Sequence, residues 1–321
     1  MCFKNSGWKV NKTIKNIRRL EMEDMKKIRL NTIYKQDCLA FMRKLEAGIF
    51  DVIVTSPPYN INKDYSVYKD NKERNEYIKW MRKVAKASYR TLKDDGSFFL
   101  NIGGKPSDPL LPLDVARKFA EVYKLQNVIH WIKHISIPKD LQSTGNSLNG
   151  HVSYGHFKPI NSDLYLNQAQ EYIFHFTKRG FTKLKKLSIG VPYQDKSNID
   201  RWSRKEDKRD RGNVWFIPYE TKVGAFKNPM LHPAEFPVKL PYLCIKLHGK
   251  TPDMVVYDPF MGVGSTALAC KLMRVSFVGT EIDEKYIEIA ENRIRECFRP
   301  PHLTIEFSKK NVEETIPGVS K

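Results

Sequence analysis

The sequence predicts an α/β fold, a doubly wound and mostly parallel sheet that carries an irregular insertion. Short apolar strands alternate with helix-period segments along most of the chain. Two of the strands run straight into loops of unusual chemistry, Thr55–Tyr59 (TSPPY) and Asp258–Thr266 (DPFMGVGST). Between these loops lie two stretches without long periodicity, 134–168 and 178–211.

The elements follow in order. Asn31–Asp37 is a short strand ending on an acid, and Ala40–Leu45 is helical. Asp51–Val54 (DVIV) has the β-branched run of a strand buried on both faces. From Asn71 to Leu92, residues Tyr77, Met81, Val84, Ser88 and Leu92 recur at spacings of four, three, four and four, the stripe of an amphipathic helix. Lys93–Gly96 (KDDG) has turn chemistry, and Ser97–Ile102 is a buried strand. Leu113–Tyr123 is a helix with Ala116, Phe119, Ala120 and Tyr123 on its inner face, and Asn127–Lys133 is a strand. Residues 134–168 are rich in Gly, Ser, Asn, Pro and His, and Glu171–Lys178 restores a strand. His232–His248 is punctuated by proline and then helical. Met254–Pro259 is a strand, Ser265–Met273 a helix and Val275–Glu281 a strand. Glu284–Cys297 is an amphipathic helix with Ile287, Ala290, Ile294 and Cys297 inward.

Composition narrows the function. The 321 residues are 41% hydrophobic and 12% aromatic, enough for one large domain with an insertion. The formal net charge of +19 calls for a polyphosphate partner, and nucleic acid fits best. Residues 178–211 hold twelve Lys/Arg against five Asp/Glu, interleaved with Phe181, Tyr193 and Trp202, a mixture suited to phosphate contact and base stacking. Residues 1–30 hold nine Lys/Arg against three Asp/Glu and read as a basic arm, either a solvated tail or a DNA-grasping one; Val10, Ile14 and Ile17 hint at a helix in it. The five cysteines, Cys2, Cys38, Cys244, Cys270 and Cys297, are odd in number and form no Cys-x-x-Cys pair. Neither a disulfide framework nor a zinc site is expected, and His151 and His156 lack metal-ligand spacing. With no apolar span or signal-like core, the expectation is a cytoplasmic protein with no membrane partner and no metal.

The glycine loop is the first chemical signal. Gly262, Gly264 and Ala267 fit the G-x-G-x-x-G/A fingerprint between a strand and a helix, and Glu281 follows Gly262 by nineteen residues at the end of the next strand. Two adenosine ligands fit, NAD(P) and S-adenosylmethionine, and with them two activities, an oxidoreductase or a methyltransferase. Asp258 at the strand end favours a cation over a pyrophosphate, and Phe260 offers a ring to a sulfonium.

The second signal is Ser56-Pro57-Pro58-Tyr59. The prolines fix φ and remove two backbone donors while keeping their carbonyls. Ser56 adds a hydroxyl acceptor and Tyr59 a flat face. Acceptors beside a stacking platform suit an exocyclic amino group on a planar base, and the base must leave the duplex to reach them.

Taken together, these motifs make the sequence resemble the DNA amino-methyltransferases that use S-adenosylmethionine. TSPPY is similar to their catalytic motif and DPFMGVGST to their cofactor loop. The resemblance implies a Rossmann-like methyltransferase sheet. The catalytic loop precedes the cofactor loop, which is the circularly permuted order of the family's beta group. It implies catalytic roles for Ser56, Pro57, Pro58 and Tyr59, with Ser56 and Pro57 also bordering the cofactor. Asp37 and Cys38 then lie by the adenine ring, and Glu281, Ile282 and Asp283 by the ribose. His232, Pro233, Phe236 and Pro237 close over the methionine end, and Asp258, Phe260, Gly262, Gly264, Ser265 and Thr266 form the cofactor loop. On this reading 1–30 is the arm and 31–177 the catalytic half. Residues 178–225 are the target-recognition insertion, with 134–168 a second DNA-contacting loop. Residues 226–299 are the cofactor half and 300–321 the C-terminal tail. Ser-Pro-Pro-Tyr usually accompanies cytosine N4 and Asp-Pro-Pro-Tyr adenine N6, so cytosine is favoured and adenine is the alternative. The implied partners are double-stranded DNA and, functionally rather than physically, a cognate restriction endonuclease, with the enzyme a monomer or homodimer.

Overall fold

The computed structural model describes residues 28–138, 151–154, 162–199, 201, 206–218 and 235–297. Residues 1–27 of the N-terminal arm, His156, Trp202, His232, Pro233 and the C-terminal tail lie outside the described residues.

The strands are β1 (Thr32–Lys35), β2 (Phe50–Thr55), β3 (Leu92–Ile102), β4 (Lys124–Ile132), β5 (Ile135–Pro138), β6 (His151–Tyr154), β7 (Gln170–Thr177), β8 (Val214–Phe216), β9 (Val255–Asp258) and β10 (Ser276–Glu281). The helices are α1 (Cys38–Lys44), α2 (Arg74–Thr91), α3 (Leu111–Ala120), α4 (Lys239–His248), α5 (Ser265–Met273) and α6 (Glu284–Glu296). One eight-stranded sheet runs in the order β1-β10-β9-β2-β3-β7-β4-β8. The first five strands in that order are mutually parallel, β7 is antiparallel to both β3 and β4, and β8 is parallel to β4.

Period-two alternation on each strand divides the core between the two faces of the sheet. Val52, Val54, Phe99, Val256 and Phe277 pack with α4, α5 and α6. Ile53, Phe98, Leu100, Tyr257 and Val278 pack with α1, α2 and α3. The sheet is therefore doubly wound, as expected. Strands β2 and β9 pair directly, yet the helix after β2 lies on one face and the helix after β9 on the other. This is the switch point of the topology, where a crevice opens beyond the strand carboxyl ends.

Several local expectations change. Lys93–Gly96 does not end the strand. It bulges out of β3 between the pairs Phe50–Leu92 and Val52–Ser97, with Asp94 and Asp95 exposed. Part of the irregular stretch 134–168 is ordered as an antiparallel hairpin of β5 and β6. Ala120 is exposed at the end of α3, while Tyr123 beyond it is buried. Cys297 is half-buried rather than fully inward. The segment 212–218 contributes the edge strand β8.

The antiparallel course of β7 also separates the two insertions. Strand β7 starts at the crevice end and finishes at the opposite end of the sheet. There Lys178 and Arg179 pair with Asp94, and the Lys185 backbone amide donates to the Leu247 carbonyl near the end of α4. The chain thus enters 178–211 remote from the crevice, whereas 133–169 departs from β4 and returns to β7 at the crevice end, where Ile132 faces Gln170. Within the basic stretch, Lys186 pairs with Asp210 and Lys196 with Asp207.

Phe98 is fully buried and meets the rings of Phe119 and Tyr123 at 5.3 and 5.5 Å. Phe98→Ala should cost about 3–5 kcal/mol of unfolding free energy. Leu125→Ala, at a site 42% exposed, should cost no more than about 0.5 kcal/mol. Denaturant titration of both variants checks the placement of the core.

Candidate active site

Beyond the ends of β2, β9, β10 and β1 lies a cavity of about 280 Å³. Each strand delivers a loop to it. Asp37 follows β1 and caps α1, its Oδ1 accepting from the Ala40 amide at 2.9 Å. Cys38 lines the cavity beside it, and burial pushes its thiol pKa up, so it stays protonated. After β2 come Ser56 and Pro58. After β9 come Phe260, Gly262 and Ser265, and β10 ends on Glu281 with Ile282 and Asp283 following. Phe236 enters from the segment before α4.

The glycine loop is built by sterics and by one carboxylate. Gly264 has φ 87°, and a Cβ there would meet the Ala290 Cβ at 2.8 Å, so α6 can pack only against a glycine. Gly262 has φ 51°, and its amide donates to Glu281 Oε2 at 2.8 Å. Glu281 Oε1 accepts the amides of Ile282 and Asp283 at 2.7 and 3.0 Å. Burial raises the Glu281 pKa against the opposing pull of these amides. Arg293 on α6 braces the rim, donating to the Val263 carbonyl at 2.6 Å and to Glu235 at 2.8 Å, next to Phe236.

Asp258 lies beneath the cavity instead of on its wall. It is 1% exposed. Its Oδ1 accepts from Thr55 Oγ1 at 2.7 Å and from the Phe260 amide at 3.0 Å, and its Oδ2 accepts from Thr266 Oγ1 at 2.6 Å. One carboxylate therefore ties the residue before Ser56 to the first turn of α5. Thr266 and Gly264 are likewise framework under the wall. Burial pushes the Asp258 pKa up to about 6.

The Ser-Pro-Pro-Tyr loop is held from three sides. Tyr77 Oη donates to the Pro58 carbonyl at 2.8 Å. Pro57 is buried behind the wall. Tyr59 is half-buried, with its hydroxyl 2.8 Å from Ser56 Oγ and donating to Glu171 Oε2 at 2.8 Å. Burial and the Glu171 charge push its phenol well above its ordinary pKa. Past Tyr59, Asp70 is 2% exposed and accepts the amides of Asn60, Ile61 and Lys63 at 2.7, 3.0 and 3.1 Å. Asn60 and Asn62 take left-handed conformations with φ 58° and 60°, which Asn tolerates better than most residues.

Of the expected site residues, Asp37, Cys38, Ser56, Pro58, Phe236, Phe260, Gly262, Ser265, Glu281, Ile282 and Asp283 come together on the wall. Pro57, Tyr59, Pro237, Asp258, Gly264 and Thr266 stand behind or beside it. His232 and Pro233 are outside the described residues. Sequence reasoning missed an aromatic wall of Tyr65, Tyr68, Trp80 and Tyr286. Tyr65–Tyr68, Tyr68–Trp80 and Trp80–Phe260 stand 6.1, 6.1 and 5.4 Å apart by ring centroid. The Tyr65–Tyr68 pair was the available signal.

Three buried polar atoms on the wall, Tyr68 Oη, Ser265 Oγ and Asp283 Oδ2, have no hydrogen-bond partner among the described residues. Such atoms need partners from a bound molecule or solvent. An adenosine with its hydroxyls, flanked by aromatic rings and carboxylates, satisfies this set of acceptors and hydroxyls; a pyrophosphate beside Glu281 and Asp283 would not.

The raised Asp258 pKa has a testable sign. The folded protein holds the proton between the ordinary value of 3.8 and about 6. The protonated carboxyl thus favours folding below this window, and that advantage is lost as pH rises through about 6. Asp258→Asn removes the charge. Whatever constant offset its amide brings, its stability relative to the wild type should rise by about 2–3 kcal/mol between roughly pH 4 and pH 7. Urea melts at the two pH values check this, and a pH-independent difference contradicts it.

Comparisons with known proteins agree with this geometry. The DNA methylase family model (N6_N4_Mtase) matches residues 50–292. The type II methyltransferase M.SmaI of Serratia marcescens is 30% identical over 279 residues, 80% of this chain and 88% of that protein. Among solved structures, the PvuII cytosine-N4-specific DNA methyltransferase superposes with a TM-score of 0.60 at 18% identity, covering 85% of this chain and 93% of that one. A Thermus thermophilus protein solved with S-adenosyl-L-methionine superposes with a TM-score of 0.51 at 18% identity, covering 81% and 91%. The match displaces the oxidoreductase reading of the glycine loop. The chain belongs to the N6/N4 DNA methylase family.

Proposed function

We propose that the protein transfers a methyl group from S-adenosylmethionine to the exocyclic amino nitrogen of a base flipped out of duplex DNA, with cytosine N4 as the target. One observation carries the proposal. The Ser-Pro-Pro-Tyr strand end and the glycine loop share one cavity and are joined under it by Asp258.

When bound, S-adenosylmethionine supplies an electrophilic methyl on a sulfonium. Held there, it would give that methyl to the amino nitrogen, the new nitrogen–carbon bond replacing the sulfur–carbon bond, and would leave as a neutral thioether. The protein's residues do the rest. Glu281 and Asp283 offer acceptors to sugar hydroxyls, while Trp80, Phe260 and Tyr68 supply apolar and π surface for the adenine and the sulfonium. Ser56 Oγ accepts an N–H of the target amino group. A second N–H goes to the Pro57 carbonyl, since Tyr77 holds that of Pro58. Holding both N–H groups draws the nitrogen lone pair out of the ring and towards the methyl. The nitrogen then sheds one proton to solvent. No covalent enzyme intermediate is required, in keeping with a buried, protonated Cys38.

Target recognition is assigned to the 134–168 insertion, which leaves and rejoins the sheet at the cavity end, with 178–225 supporting it. The type II methyltransferase relative supports a role beside a restriction endonuclease of the same specificity. Adenine N6 is the second reading, because the family match spans both amino targets. No helix among the described residues is long and apolar enough to cross a membrane.

The test is transfer of a tritiated methyl from S-adenosylmethionine to mixed-sequence duplex DNA. The wild type should label DNA, and Ser56→Ala should lower the rate by roughly 10²–10³-fold with cofactor affinity retained. An inactive wild type, or a fully active Ser56→Ala, refutes the proposal.

A further inference from the structure

We infer that Glu171, acting through Tyr59, fixes the direction of the Ser56 hydroxyl so that Ser56 faces the substrate as an acceptor only. The inference rests on the proposed role of Ser56 and goes beyond it.

Counting hydrogens gives the direction. Asn101 is fully buried, and its Nδ2 has two hydrogens. One goes to Glu171 Oε2 at 3.1 Å and the other to the Tyr172 carbonyl at 3.1 Å. That orientation turns Asn101 Oδ1 towards Tyr59. The Tyr59 hydroxyl has one hydrogen and two acceptors behind it, Glu171 Oε2 at 2.8 Å and Asn101 Oδ1 at 3.2 Å. The carboxylate is closer and charged, so it takes the proton, and neither choice sends that proton to Ser56. In the 2.8 Å contact between Ser56 and Tyr59, Ser56 must therefore be the donor. Its only proton points away from the cavity, and its lone pairs point in.

A free serine hydroxyl is ambivalent. It can present its proton to a ring nitrogen or carbonyl of a base as readily as it accepts from an amino group. A carboxylate in the same place would accept only, because it has no proton. The Glu171–Tyr59 relay gives a neutral hydroxyl that same one-way character without placing a negative charge against the base. Lys133 completes the device. Its Nζ lies 3.1 Å from Glu171 Oε1, and the two side chains are 21% and 15% exposed, so the carboxylate has a cation against its far oxygen. Lys133 also dictates what an amide at 171 would do. It would draw the carbonyl oxygen to itself and turn the NH₂ towards Tyr59, reversing the relay.

Glu171 is thus a positioning residue, and a double-mutant cycle on methyl transfer tests it. Single-turnover rates on duplex DNA should fall roughly tenfold in Glu171→Gln and in Tyr59→Phe, the loss of one oriented hydrogen bond. The KM for DNA, the Kd for S-adenosylmethionine and the Tm should stay within about twofold or a few degrees of the wild type. Tyr59→Phe retains the ring and so guards against a folding artefact at 171. In a Ser56→Ala background, Glu171→Gln should lower the rate no further, since no hydroxyl remains to orient. Full activity of Glu171→Gln, or losses that multiply with Ser56→Ala, would overturn the inference. A wild type that moves no methyl to DNA would instead bring down the functional reading on which it rests.

Discussion

The structure turns on the buried Asp258 carboxylate. It accepts hydrogen bonds from Thr55, 203 positions away in sequence, and from Thr266 in the helix that follows its own strand. These bonds fix the end of β2 against the end of β9 at the switch point of the sheet. Without that registration the Ser-Pro-Pro-Tyr loop and the glycine loop would be two turns on neighbouring strands. With it they form opposite walls of one cavity. The arrangement carries an energetic cost, visible in a carboxyl pKa lifted to about 6 by burial, which three hydrogen bonds only partly offset. A buried charge kept at that cost fits a role in positioning two loops better than one in raw stability.

A second acid governs the other side of the site. Glu281 organises the glycine loop through three backbone amides, and Glu171 organises the Ser-Pro-Pro-Tyr loop through Tyr59 and Asn101. In the proposed reaction neither carboxylate touches the atoms that change bonds. Rigid donors and acceptors, preset by neighbours packed in the sheet, then meet the ligand at little reorganisation cost.

Most of the sheet was legible in the sequence because its signals are local. The β-branched run before Ser56, the glycine spacing of 262 and 264, and the helical stripe from Tyr77 to Ser88 each specify an element within a few residues. The doubly wound order followed from them. What was not legible depends on partners far along the chain. Asp258 read as a cation ligand because its two threonine partners become neighbours only when β2 pairs with β9. Glu171 read as one residue of a strand, since its bonds to Tyr59 and Asn101 require the antiparallel pairing of β3 with β7. Tyr65 and Tyr68 lie in a stretch without periodicity, which Asp70 folds back by collecting amides from it. The basic, aromatic-rich composition of 178–211 was plain, but no local feature showed that β7 delivers this stretch to the end of the sheet away from the cavity.

The account centres on methyl transfer to an exocyclic amino group, and the chemistry of the product tests that most directly. Duplex DNA incubated with the protein and S-adenosylmethionine carrying a trideuterated methyl would be digested to nucleosides and analysed by mass spectrometry. The account predicts a deuterated methyl on N4 of deoxycytidine. A deuterated methyl on N6 of deoxyadenosine would transfer the target assignment to adenine. Label on a ring carbon, or none in the nucleosides, would contradict the account at its centre.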